Sequence, residues 1–164
     1  ASIHGELPVL NENGVKLTTI GDVSKLPAAC IDSLSDAVNA TLKNDKINLI
    51  LALNYSSREE IVSATKKIVQ RVLDGSLAPD EINIQEFQQA LYTANIPVPE
   101  LVIRTSGEHR VSNFLLWQLA YAELHFTPVF WPEFRRAHLM EAIYDYQRRE
   151  RRFGKTSEQV ILEK

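Results

Sequence analysis

The chain has 164 residues, 45% hydrophobic and 24% charged, which suffices for one domain-sized core and excludes disordered and collagen-like classes. No apolar run reaches the roughly 18 to 20 residues of a membrane span, and the N-terminus lacks a basic-then-apolar leader, so a cytoplasmic location is expected. The net charge of −3 argues against a general nucleic-acid or anionic-membrane binder, and Cys30, the single cysteine, cannot form an internal disulfide and is expected to be a buried, inert thiol.

Short apolar runs alternate with longer segments of helical period, which predicts an α/β fold with a mainly parallel sheet flanked by helices, in a single domain spanning 1–164. Residues 1–14 supply half a helix and a turn. Val15 to Ile20 reads as a strand closed by Gly21-Asp22, and Ile31, Leu34, Val38 and Leu42 recur at helical spacing after Pro27. Ile47 to Leu53 is nearly continuously apolar, as expected of an interior strand covered on both faces. Ser57 with Glu60 predicts a capping box, and Ile61, Ala64, Ile68, Val69 and Val72 give the next helix its buried face.

A short helix over Gln85 to Tyr92 leads to a brief strand at Leu101 to Ile103. Arg104 to Val111 reads as a polar loop, and Ser112 is expected to cap a helix through Tyr121 that is apolar nearly all round, hence central or at a subunit interface. Phe126 to Phe130 is a candidate last strand. Leu139, Ile143 and Tyr146 mark a final helix running into Arg148 to Arg152. A sheet of three or four strands built from these parts would lack cover at one edge, which predicts either a fragment of a domain or completion by a partner.

Charge is unevenly distributed. Residues 1–103 carry 8 basic and 13 acidic groups, whereas 104–164 carry 10 and 8, with eight of the ten arginines. The segment Arg104-Thr105-Ser106-Gly107-Glu108-His109-Arg110-Val111-Ser112-Asn113 follows a strand, holds two arginines and a glycine, and ends in a hydroxyl at an expected helix start. These are the parts of an anion site beyond the carboxyl end of a parallel strand, and a diphosphate matches that much positive field. The competing reading pairs Arg104 with Glu108 as a loop clasp and leaves Ser112 a mere cap.

The run from Leu101 to Leu124 resembles the signature of the cis-prenyltransferase family, most closely its bacterial undecaprenyl diphosphate synthases. Ile20-Gly21-Asp22 with Leu26-Pro27, Leu53-Asn54-Tyr55 with Arg58, Phe126-Thr127 with Trp131-Pro132-Glu133-Phe134, and Arg151-Arg152-Phe153-Gly154 follow the family's order, so the likeness covers about Leu7 to Gln159. Ser56-Ser57 stands where the family has a pair of glycines. The family's N-terminal phosphate loop, with its catalytic aspartate, has no counterpart here, so the resemblance implies the C-terminal part of such a domain, no catalytic residue in this chain, and negligible activity of this chain alone.

The resemblance implies head-to-tail condensation of isopentenyl diphosphate with an allylic diphosphate such as farnesyl diphosphate, giving a long-chain, undecaprenyl-type cis-polyprenyl diphosphate, with magnesium as cofactor. On this view Arg104, Arg110 and Ser112 hold isopentenyl diphosphate, His109 and Glu123 contribute to magnesium, and Arg152 and Gly154 reach the partner's diphosphate site across a homodimer. One straight helix would place Glu123 about 16 Å along the axis from Ser112, so a bend, a chain return or a second subunit must bring them to one ion. Arg148, Arg149 and Arg151 read as a solvated basic face, Trp117 and Tyr121 as core or dimer packing, and Ile47, Leu49 and Leu51 as candidate tunnel wall. Substrates, homodimer and transient membrane contact for product release are the implied partners. A non-catalytic subunit of a prenyltransferase heterodimer is the alternative, disfavoured because the diphosphate-binding residues are in place.

Overall fold

The computed structural model describes residues 3–149, which divide into two compact units meeting between Ile96 and Pro97. Both are α/β. In the first, α1 (Ile3–Glu12), β1 (Val15–Ile20), α2 (Ala28–Ala40), β2 (Ile47–Ala52), α3 (Ser57–Leu73) and α4 (Ile84–Ala90) follow in order. β1 and β2 pair in parallel from Val15 opposite Ile47 to Ile20 opposite Ala52. In the second, β3 (Leu101–Arg104) and β4 (Glu123–Phe126) pair in parallel and α5 (Arg136–Arg148) follows. No described helix is long and apolar enough to cross a membrane.

The first unit is built by strand alternation and helix faces meeting. Leu17 and Ile20 of β1, Leu34 and Ala37 of α2, and Ala64 and Ile68 of α3 are buried. Thr41, where α2 ends, is fully buried: its hydroxyl accepts from the Leu17 amide (3.0 Å) and donates to the Ala37 carbonyl (3.0 Å), joining helix to strand. At the carboxyl ends of the strands, Gly21 has φ +103 and passes so close to β2 that a Cβ there would lie 2.1 Å from the Leu53 carbonyl oxygen. Only glycine fits. Asn54 closes the same corner, donating from Nδ2 to the Asp22 carbonyl (3.0 Å).

Several expectations are corrected. β2 is not covered on both faces: it pairs only with β1 among the described residues, and Ile47 is 59% and Leu49 41% exposed. An apolar run reports a capacity for burial, and with one neighbouring strand that capacity is unmet. The cap of α3 is Ser56, one residue earlier than Ser57, because Ser56 keeps an extended backbone and accepts from the Glu59 amide (3.4 Å), while Ser57 is buried in the first turn. Glu60, expected to complete a capping box, is instead 1% exposed and accepts from the Tyr55 hydroxyl (2.5 Å) and the Tyr92 amide (2.8 Å). Cys30 is exposed, since burial on α2 centres on Leu34 and Ala37 and does not extend to its first turn.

In the second unit, no helix forms over residues 112–121. Ser112, Asn113 and Leu115 have φ of +48, +61 and +48, outside the right-handed helical region, and the segment runs as successive turns. A short helix draws most of its stability from tertiary packing, and here Phe114, Leu116 and Tyr121 are exposed, Tyr121 by 72%, so these side chains bury too little surface to hold one. Tyr121 is accordingly not a core residue. The last strand is Glu123–Phe126, ending where 126–130 was expected to begin, because the four residues of β3 set its length and Pro128 has no amide to extend the ladder.

Candidate functional site

The carboxyl ends of β3 and β4 carry the arginine loop. The Thr127 amide donates to the Arg104 carbonyl, the Gly107 amide to the Thr127 carbonyl and the Ser106 amide to the Val129 carbonyl, each at 2.9 Å. These bonds strap the start of the loop across the sheet end. Ser106 and Gly107 both have φ of +66, a turn that the glycine takes without strain and the serine does not. His109 packs its ring on Phe126, with centroids 4.9 Å apart, which holds the loop's midpoint near the same strand end.

The two guanidiniums differ in kind. Arg104 Nε is buried and has no hydrogen-bond partner among the described residues. Arg110 is largely exposed and forms an ion pair with Glu108. Glu108 is therefore the partner of Arg110, and the clasp between Arg104 and Glu108 does not form. Ser112 follows in the turn region and caps no helix, so this end of the site gains no helix dipole, and its positive field comes from the arginines and turn amides.

Glu123 lies at the other end of the sheet. It pairs with Leu101 at the amino end of β4, whereas Arg104 pairs with Phe126, three residues or about 10 Å further along the strands. Its carboxylate accepts from Arg149 Nη1 (2.8 Å), which also donates to the Leu124 carbonyl (2.9 Å). Arg149 Nη2 donates to Asp145 Oδ2 (2.6 Å), which in turn lies 2.9 Å from His125 Nδ1. Glu123 and Asp145 together hold the Arg149 proton more tightly than usual, and His125 with Arg149 holds the Asp145 carboxyl below its ordinary range. Arg149 is thus no part of a solvated basic face. Sequence reasoning missed this cluster, although Asp145 and Arg149 stand four apart at the end of α5, a spacing that pairs acid with base.

The structure does not bring His109 and Glu123 together, and no group of three His, Cys, Asp or Glu side chains among the described residues is placed to hold a metal ion. The residues described do not fit a magnesium site as they stand. Arg152 and Gly154 lie outside the described residues. In the first unit, the motif residues Asp22 and Arg58 line a cleft of about 460 Å³ with Lys25, Glu59 and Lys66, at the carboxyl end of β1. The Asp22 carboxylate is occupied there, accepting from the Ser24 hydroxyl (2.5 Å), pairing with Lys25 (3.3 Å) and accepting from the Ser24 amide (3.2 Å), which together lower its pKa below the ordinary value.

The family model for undecaprenyl diphosphate synthase matches residues 1–154. The chain is 47% identical to an isoprenyl transferase of Porphyromonas gingivalis, over 98% of this chain and 63% of that protein. It is 44% identical to the ditrans,polycis-undecaprenyl-diphosphate synthase ((2E,6E)-farnesyl-diphosphate specific) of Pseudomonas aeruginosa, over 99% of this chain and 64% of that one. Among solved structures, lavandulyl diphosphate synthase from Lavandula x intermedia, in complex with dimethylallyl diphosphate, superposes with a TM-score of 0.90 at 38% identity, covering 93% of this chain and 66% of that one. The chain thus spans a little under two thirds of the length of these relatives. A family match running from the first strand past the arginine loop, joined to the same parallel α/β architecture, places this chain in the undecaprenyl diphosphate synthase family.

Proposed function

We propose that this chain supplies the isopentenyl diphosphate side of a cis-prenyltransferase, which extends an allylic diphosphate such as farnesyl diphosphate into an undecaprenyl-type polyprenyl diphosphate, a cell-wall lipid carrier. The observation that carries the reading is Arg104. A buried guanidinium nitrogen with no acceptor is costly, and a diphosphate oxygen at the carboxyl end of β3 would complete it. Arg110 can exchange Glu108 for phosphate at small cost, because an exposed ion pair is worth only about 0 to 1 kcal/mol. Ser112 adds a hydroxyl to the same loop. The allylic class of the second substrate is supported by the two relatives whose names carry farnesyl and dimethylallyl diphosphate.

In this scheme the arginines neutralise the nucleophile's diphosphate while the allylic diphosphate departs, a reaction whose carbocation-like centre must also be kept from water. The residues receiving the allylic diphosphate are assigned outside these 164, so the polypeptide alone is not expected to turn over. A divalent metal is kept only at the level of the family: Glu123 is bonded to Arg149 at the opposite end of the sheet from His109, so neither is assigned to it and no step is routed through it. Both units are taken as one prenyltransferase domain, since the family match runs unbroken across Ile96 and Pro97. The exposed Phe114, Leu116 and Tyr121 support an isologous homodimer, in which Arg152 and Gly154 serve the neighbouring site. The protein is placed in the cytoplasm, with transient membrane contact to release product.

The test is steady-state assay of the full-length protein with radiolabelled isopentenyl diphosphate and farnesyl diphosphate. Arg104→Ala is expected to raise KM for isopentenyl diphosphate by about ten- to a hundredfold, the worth of a charge-assisted contact, with a smaller effect on the allylic KM and a milder loss for Arg110→Ala. Equal losses for both substrates, or none, would return Arg104 to a structural role.

A further inference from the structure

Arg104 and His109 stand five residues apart, a stretch that could reach about 17 Å if extended. Both come instead to one side chain. Phe126 is the register partner of Arg104, and partners in a parallel pair lie side by side on one face of the sheet, with about 4.8 Å between the strands. The His109 ring packs on the same phenyl, with centroids 4.9 Å apart and planes tilted by 42°. The loop between them is therefore a closed excursion with Phe126 at its base. Its near side is pinned by the Ser106 and Gly107 amides, which donate to the Val129 and Thr127 carbonyls.

This seat sets where both guanidiniums of the loop begin. On one side the phenyl is an apolar neighbour that consumes none of the donors of Arg104, and the buried Nε of that arginine meets no acceptor among the described residues. On the other side it holds His109, the residue between Glu108 and Arg110, which form an exposed ion pair. The backbone straps reach only to Gly107, so His109 is the next tie to the sheet among the described residues. We propose that Phe126 is a positioning residue for isopentenyl diphosphate: it seats both ends of the arginine loop, so that Arg104 and Arg110 present their donors to one diphosphate. The inference rests on the reading of Arg104 as a diphosphate ligand given above. Without the ring, binding must itself order the stretch from Glu108 to Arg110, and that cost falls on the affinity for one substrate, not on the chemical step.

The experiment compares Phe126→Leu, Phe126→Tyr, His109→Ala, the double variant Phe126→Leu/His109→Ala and Arg104→Ala in the full-length enzyme. Each is measured for both KM values, kcat and melting temperature. Phe126→Leu, which keeps apolar volume and removes the flat ring, is expected to raise KM for isopentenyl diphosphate about tenfold, with kcat and the allylic KM within about twofold. Phe126→Tyr keeps the ring and should stay within about twofold of wild type in all three. In the His109→Ala background the leucine substitution should add about threefold at most, because one of the two contacts it removes is already gone. If Phe126→Leu does not fold, Phe126→Met, unbranched and ringless, carries the same comparison with a smaller rise. A lowered melting temperature with unchanged KM, a parallel rise of both KM values, or the full tenfold effect persisting beside His109→Ala would make Phe126 a packing residue only and overturn the proposal. An Arg104→Ala variant with no selective loss for isopentenyl diphosphate would sink the reading of Arg104 and the inference with it, whereas a selective Arg104→Ala beside a silent Phe126→Leu would sink the inference alone.

Discussion

Glu60→Ala should be among the most destabilising single substitutions in the first unit. Its carboxyl group is 1% exposed and joins two elements: it accepts from the Tyr55 hydroxyl (2.5 Å) ahead of α3 and from the Tyr92 amide (2.8 Å) beyond α4. Tyr92 is further held by the edge of the Tyr55 ring, at 6.4 Å between centroids, and by the Lys67 ammonium over its face. Truncation removes two short hydrogen bonds, worth about 1.5 to 3 kcal/mol each where a charged group takes part, and strands a part-buried amide beside a new cavity. The expected loss is about 3 to 5 kcal/mol, a large share of a domain's roughly 5 to 15. Tyr55→Phe, which removes one donor and little volume, should cost about 1 to 2 kcal/mol, and Glu60→Gln, which keeps shape and one acceptor, should fall near it. Urea unfolding of the full-length protein, followed by circular dichroism, measures all three. A Glu60→Ala midpoint equivalent to less than about 1 kcal/mol, or a Glu60→Gln loss as large as that of Ala, would refute the two-bond account.

Gly21→Ala should lower stability by about 2 to 4 kcal/mol, read as a fall in melting temperature, because a Cβ 2.1 Å from a backbone oxygen forces β1 and β2 apart at a backbone angle that L-residues avoid; a change under 0.5 kcal/mol would mean the corner yields freely. Asp145, whose folded pKa is held below 3.8 by His125 and Arg149, binds fewer protons folded than unfolded in acid. Its contribution is therefore complete above the ordinary carboxylate range and is lost as pH falls through the depressed folded value. Melting curves from about pH 6 down to about pH 2.5 should show a shallower decline for Asp145→Asn than for wild type, and parallel declines would remove Asp145 as a source of acid sensitivity.

The sequence alone determined the elements whose pattern is strictly local. β1 begins and ends where alternation and Gly21-Asp22 placed it, and β3, α2, α3 and α5 lie within a few residues of their periodic faces. The arginine loop beyond β3 was legible for the same reason, since a strand, a glycine and two guanidiniums in order need no distant partner to be recognised. What only the tertiary structure decided was coverage. β2 and the apolar segment 112–121 are composed for burial on every side, but burial depends on neighbours that no local pattern reports, so one is an exposed edge and the other a run of turns. The same holds for charge: Arg104, whose buried Nε meets no acceptor among the described residues, Arg110 on Glu108 and Arg149 on Glu123 are equivalent letters in the sequence, and only the sheet register and the end of α5 sort them into an unmet donor, a surface pair and a clamp. Electrostatic partnership acts over a few ångströms in space, whereas sequence spacing fixes distance only within an element.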